Sequence, residues 1–281
     1  MQLSVITDEI SMDLERSLDV MLEYDVRAVE LRSLWNANIA DLTDDQVAKA
    51  KAALESRGMV VSCIASPLYK CDLVSDTGQA AGQTHQATDR TLSQQPELLE
   101  RCIRLCDVFG TRLIRIFAFW KRGNLTEDIE RQIVEALASG VARAEQAGVT
   151  LVLENEHACY LGTGEDTARV LKTINSPALK AVWDPGNAFC AGEVPYPNGY
   201  EAIKDFTVHV HLKDPIRTDD GHCKFVRIGD GAIDYIAQFR ALKADGYKGC
   251  LSLETHYKPD GDAEKGSRQC LESLRKMLSE I

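Results

Sequence analysis

The chain has 281 residues, 44% of them hydrophobic and 27% charged, and a formal net charge of −11. That size and balance suit one soluble domain that can bury its core without disulfides or a structural metal. The negative charge argues against nucleic acid or an anionic membrane as partner, since their phosphates are repelled before local contacts form, and no apolar run is long enough for a membrane span.

Eight short apolar runs alternate with amphipathic helical patterns. A strand is predicted over 3–6 and a helix over 12–24, then a strand over 28–31 and a helix over 43–57, which opens on Thr43 with two Asp residues and stops before Gly58. Strand 60–65 precedes a long polar segment, 72–95, read as a lid-like cover or a passive insertion. Helix 96–109 ends at Gly110, strand 113–117 follows, and helix 126–147 ends at Gly148. The remaining strands are expected over 150–154, 180–184, 208–213 and 250–254, with helices over 165–174, 199–205, 232–244 and 264–278. Strands apolar on both faces are parallel strands covered on both sides, and eight such β-then-α units close naturally into a single (β/α)8 TIM barrel spanning 1–281. A doubly wound open sheet is the competing architecture.

Nine cysteines sit at irregular spacings without a C-x-x-C motif, so most read as small buried hydrophobes in a reducing compartment. The opening MQLSVITDEI has no basic, signal-like start, and the expected location is the cytoplasm.

Catalytic groups of such barrels come from the C-terminal ends of strands. Strands five to eight end in Glu154, Asp184, His211 and Glu254. Three carboxylates and an imidazole around one axis repel one another unless a cation joins them. Oxygen-rich ligation with one nitrogen favours a single divalent ion, Mn²⁺ or Mg²⁺, with Co²⁺ or Zn²⁺ also able to occupy the site.

The segments LVLENEH, VWDPGNA, HVHLKD and SLETH resemble the metal-site segments of the xylose-isomerase-like TIM-barrel superfamily, the sugar phosphate isomerase/epimerase group. That group includes ketose 3-epimerases, hydroxypyruvate isomerases and inosose dehydratases. The resemblance implies metal ligation by Glu154, Asp184, His211 and Glu254, with Glu154 and Glu254 also the catalytic acid/base pair. It places a substrate-binding arginine at Arg217. Dimers and tetramers are common in that family, so a homodimer or homotetramer is implied. One departure stands out: the D-x-x-H pattern of the epimerases reads D-P-G-N here, with Asn187, which can bond a hydroxyl but cannot shuttle a proton.

Around this set, His209 alternates with His211 and is either a substrate contact or a satisfied core histidine; Lys213 continues the alternation as an inward cation. Glu156 and His157 could touch substrate hydroxyls or be solvated in a loop. Arg115, Glu30 and Arg32 could grip substrate or form rim salt bridges, and Trp35, Phe117 and Trp120 could wall a sugar face or simply pack. The stretch from Arg227 to Ala232, RIGDGA, reads as a tight turn in preference to an anion cradle.

A metal chelated by a carbonyl and a neighbouring hydroxyl stabilises an enediolate, from which epimerisation, isomerisation or loss of a β-hydroxyl can follow. The expected function is a divalent-metal-dependent isomerase or epimerase of a ketose or keto-sugar, phosphorylated or not. A lyase or dehydratase on the same site, or a non-catalytic sugar-binding barrel, are the alternatives. The three-zinc apurinic endonuclease of the same superfamily is excluded by its need for early strand-end histidines and a basic groove.

Overall fold

The structure, a computed structural model, describes residues 1–74 and 84–281. Eight parallel strands close into a barrel: β1 (Gln2–Ile6), β2 (Ala28–Leu31), β3 (Val60–Ala65), β4 (Leu113–Ile116), β5 (Thr150–Glu154), β6 (Leu179–Trp183), β7 (Thr207–Leu212) and β8 (Cys250–Leu253). Each pairs in parallel with its sequence neighbours, and β8 closes on β1 with Leu3 opposite Leu251 and Val5 opposite Leu253. The chain is a (β/α)8 TIM barrel.

Period-two alternation sorts each strand's side chains. In β5, Leu151 and Leu153 join the large core between strands and helices, whereas Val152 packs with Cys63 and Val182 in a separate small cluster. Val152 lies two residues before Glu154, and Val182 two before Asp184, so this cluster floors the barrel beneath the strand-end polar residues.

The outer helices are α1 (Leu14–Glu23), α2 (Asp44–Glu55), α3 (Gln95–Phe109), α4 (Glu127–Ala147), α5 (Gly164–Ile174), α6 (Pro185–Ala191), α7 (Tyr200–Ile203), α8 (Tyr235–Ala244) and α9 (Ala263–Ser279). Thr43 and Gln46 form a reciprocal capping box at the start of α2, worth about 1 kcal/mol. Gly110 and Gly148 end α3 and α4 in the left-handed region, at φ 71° and 67°. Among the described residues, no helix is long and apolar enough to cross a membrane.

The structure departs from the sequence reading in several places. Helix α6 follows β6 directly, where the sequence reading places no helix; Asp184 caps it and Pro185 starts it. Helix α8 begins at Tyr235, not 232, because the preceding residues are bound into a loop around Asp214. A hairpin, Asp214–Arg217 against Cys223–Val226, interrupts the β7-to-α8 connection. Cys190 of α6 and Cys223 of that hairpin form a disulfide, so this pair departs from the free, buried thiols expected of most cysteines. The other seven cysteines are free, six of them buried. The 75–83 part of the lid-like segment lies outside the described residues.

Candidate metal centre

Glu154 ends β5, Asp184 caps α6, His211 lies in β7 and Glu254 follows β8. All four are at most 2% exposed, and one ligand atom from each lies within 4.8 Å of the others. His211 Nδ1 stands 3.3 Å from Glu154 Oε1 and 3.4 Å from Glu254 Oε2. Two buried polar atoms here make no aligned hydrogen bond: His211 Nδ1, which faces the Glu154 and Glu254 carboxylates, and Asp184 Oδ2, whose near neighbour is the Lys213 ammonium. Oxygen donors and one imidazole nitrogen converging in one buried place fit a divalent cation.

The cations around the cluster are all engaged. Arg115 holds Glu154 Oε2 at 2.7 Å, and Arg32 holds Glu254 Oε1 while also pairing with Asp8 and Glu9. Lys213, 2% exposed, reaches among these four residues: its Nζ is 2.7 Å from Glu254 Oε2 and 2.9 Å from Asp184 Oδ2. Burial alone would discharge this ammonium, but Asp184 and Glu254 keep it protonated well above the usual lysine range. Burial also raises Asp184, helped by Glu154 and Glu254 against Lys213, to about 6.

Beneath the cluster, Glu30 of β2 is buried and bonded to His209 Nε2 at 2.8 Å, His211 Nε2 at 3.1 Å and Ser252 Oγ at 2.6 Å. His209 is thereby placed one layer below His211, where it braces Glu30 and is a satisfied interior histidine instead of a group at the mouth. Asn155 staples the floor of the site: it exchanges two 2.8 Å bonds with the backbone of Asp184.

On the other side, Asn187 donates to Glu154 Oε1 at 3.1 Å and its Oδ1 is 2.8 Å from His157 Nδ1. His157 in turn lies 3.0 Å from Glu156 Oε1, and Glu156 Oε2 lies 3.4 Å from Lys70 Nζ. Lys70 sits 4.2 Å from the centre of the Phe117 ring and 5.3 Å from that of Trp120. Phe117 and Trp120 are buried together with Cys159, whereas Trp35 packs away from them, with Lys49 over its ring and its indole N–H on Glu15. Arg217 is exposed on the hairpin and donates to the carbonyls of Phe189, Cys190 and Gly221, so in this conformation it is bound to α6 and the hairpin turn and not to the ligand cluster. Left-handed non-glycine residues recur in the loops after the strands, at Trp35, Tyr69, Phe119 and His256, a strain pattern concentrated at functional mouths.

The sequence marks neither Lys70 nor Asn155 as a site residue. Only the fold brings Lys70 beside Glu156, 86 positions away, and nothing in LVLENEH marks Asn155 as the partner of Asp184.

The chain belongs to the xylose isomerase-like TIM-barrel family, whose pattern matches residues 18–277. It is 32% identical over 161 residues to an uncharacterised protein of Methanocaldococcus jannaschii; the match spans 56% of this chain and about half, 53%, of the relative's length. Among solved structures it is similar to the IolI protein with a bound zinc atom (TM-score 0.78, 19% identity, 100% of this chain and 99% of that one). It is also similar to the probable 3-DHS dehydratase AsbF of Bacillus anthracis (0.76, 16%, 98% and 99%). A third is the D-allulose 3-epimerase of a Methylomonas species in complex with D-allulose (0.73, 15%, 99% and 97%). At these identities the likeness to the solved structures is one of fold.

Proposed function

We propose that the chain is a divalent-metal-dependent isomerase or epimerase acting on a ketose or keto-sugar. The observation that carries this reading is the arrangement of Glu154 and Glu254. Each has one oxygen clamped by a buried arginine and the other turned to the shared cluster. When bound, an ion held by Glu154, Asp184, His211 and Glu254 would polarise a substrate carbonyl and offset enediolate charge, with Mn²⁺ the first candidate. One of the two carboxylates would take the carbon-bound proton, and the other could return one from the far side or to the neighbouring carbon. Asn187 and His157 would meet substrate hydroxyls.

One observation favours a second reading, a dehydratase on the same site. The Lys213 ammonium stands among the ligands, where it could protonate a departing β-hydroxyl. A single experiment separates the two: keto-sugars incubated with metal-loaded protein in D₂O, the ion chelated, and the products read by proton NMR. Deuterium at one carbon supports the isomerase or epimerase; loss of a hydroxyl supports the dehydratase. No exchange by a protein shown to hold its metal sinks both.

A further inference from the structure

We infer that the substrate carries no phosphate, because Asp214 fills the place where a barrel of this kind would hold one; this rests on the isomerase or epimerase reading above. Phosphates in (β/α)8 barrels commonly sit against the backbone amides of the loops after strands seven and eight. Here the loop after β7 is built as such a cradle, and the protein's own carboxylate lies in it. Asp214, fully buried, accepts from the amides of Gly229 at 2.8 Å, Gly231 at 3.1 Å and Ile233 at 3.1 Å. A Cβ at Gly231 would lie 2.1 Å from Asp214 Oδ1, so the loop closes on that carboxylate and leaves no volume beside it. The three amides are satisfied before any substrate arrives.

The charges at the metal centre point the same way. Among the described residues there, Arg32 is matched by Asp8, Glu9 and Glu254, Arg115 by Glu154, Lys70 by Glu156, and Lys213 by Asp184 and Glu254. With Glu30 behind His211, seven carboxylates enclose these four cations. Counting imidazoles as neutral, a divalent ion would still leave one negative charge. A phosphate dianion would enter against that charge, whereas hydroxyls can exchange bonds with Lys70, Glu156, His157 and Asn187 without adding to it.

Two measurements on the metal-loaded wild-type protein test this. The first titrates inorganic phosphate while following the backbone amide resonances of Gly229, Gly231 and Ile233. They should not move, and saturable shifts would overturn the inference. Asp214→Ser, which empties the cradle, should gain such shifts; the wild-type result stands if that variant does not fold. The second compares binding and D₂O exchange for matched pairs, D-fructose with fructose 6-phosphate and D-ribulose with ribulose 5-phosphate. The free sugar should bind at least about tenfold more tightly, or 1.4 kcal/mol. Tighter binding or exchange confined to the esters would overturn the inference and leave the isomerase reading intact. Selective binding of free sugars without any exchange would sink the isomerase reading and leave this one standing.

Discussion

Glu30 accepts from His211 Nε2 through both carboxylate oxygens, each at 3.1 Å. An ionised carboxylate only accepts, so the Nε2 proton is fixed and Nδ1 is left facing Glu154 and Glu254. Glu30→Gln should therefore weaken metal affinity by about 10- to 100-fold. Calorimetry reads the affinity, and the visible spectrum of a Co²⁺-loaded sample reads the ligand geometry. An unchanged affinity and spectrum with a lowered melting temperature would reduce Glu30 to core packing.

Lys213 already supplies positive charge among Glu154, Asp184 and Glu254, so it would compete with an ion held there. In Lys213→Met the metal-free protein should lose roughly 3–5 kcal/mol, the cost of leaving buried carboxylates without their partner. The same variant should bind the ion more tightly than the wild type. Denaturant melts with and without metal give both numbers, and weaker binding by the variant would show that Lys213 orients the ligands instead of competing.

The barrel was legible because each strand is buried on both faces towards its C-terminal end, which writes an apolar run directly into the sequence, and because several of these runs close on a polar residue at the mouth. β2, β3 and β5 carry the boundaries the sequence suggests. The cluster of Glu154, Asp184, His211 and Glu254 could be picked from strand ends alone. Its supports could not: Arg32 meets Glu254 across 222 positions and Glu30 meets His209 across 179. Ion pairs at such separation leave no local pattern. Helix α6 was hidden for a different reason, since Pro and Gly after an Asp serve a turn and a helix N-terminus equally well.

The Cys190–Cys223 bond ties α6, which carries Asn187, to the hairpin that carries Arg217. Alkylation in denaturant should modify seven cysteines before reduction and nine after it. Closing a loop with a sequence separation of 33 should contribute about 3–4 kcal/mol, so a reductant should lower the melting temperature by roughly 5–10 °C. Nine modified cysteines without reductant would show that the pair is not bonded in the isolated protein.

Metal binding should expel protons, and the groups responsible set the pH window. Burial alone would discharge His211, but Glu30 and Glu154 hold its proton well above the usual imidazole range, while burial and neighbouring carboxylates lift Asp184 to about 6. A metal needs the neutral ring and the ionised carboxylate. Affinity should thus rise with pH and drop sharply as pH falls through about 6, where Asp184 takes up a proton. Stability of the metal-free protein runs the other way. A histidine with a raised folded pKa stabilises fully below its unfolded value of 6.5, and that contribution is lost as pH rises through the folded one. Asp184, also raised, stabilises fully below its unfolded value of 3.8 and has lost that contribution by about pH 6, so the change above pH 6 is His211's. The melting temperature in chelator should consequently fall from pH 6 towards pH 9, while the stabilisation added by metal grows over the same range. Calorimetry of metal binding in two buffers of different ionisation enthalpy counts the protons directly. Identical heats at neutral pH would mean that no proton is displaced and that His211 is not a ligand.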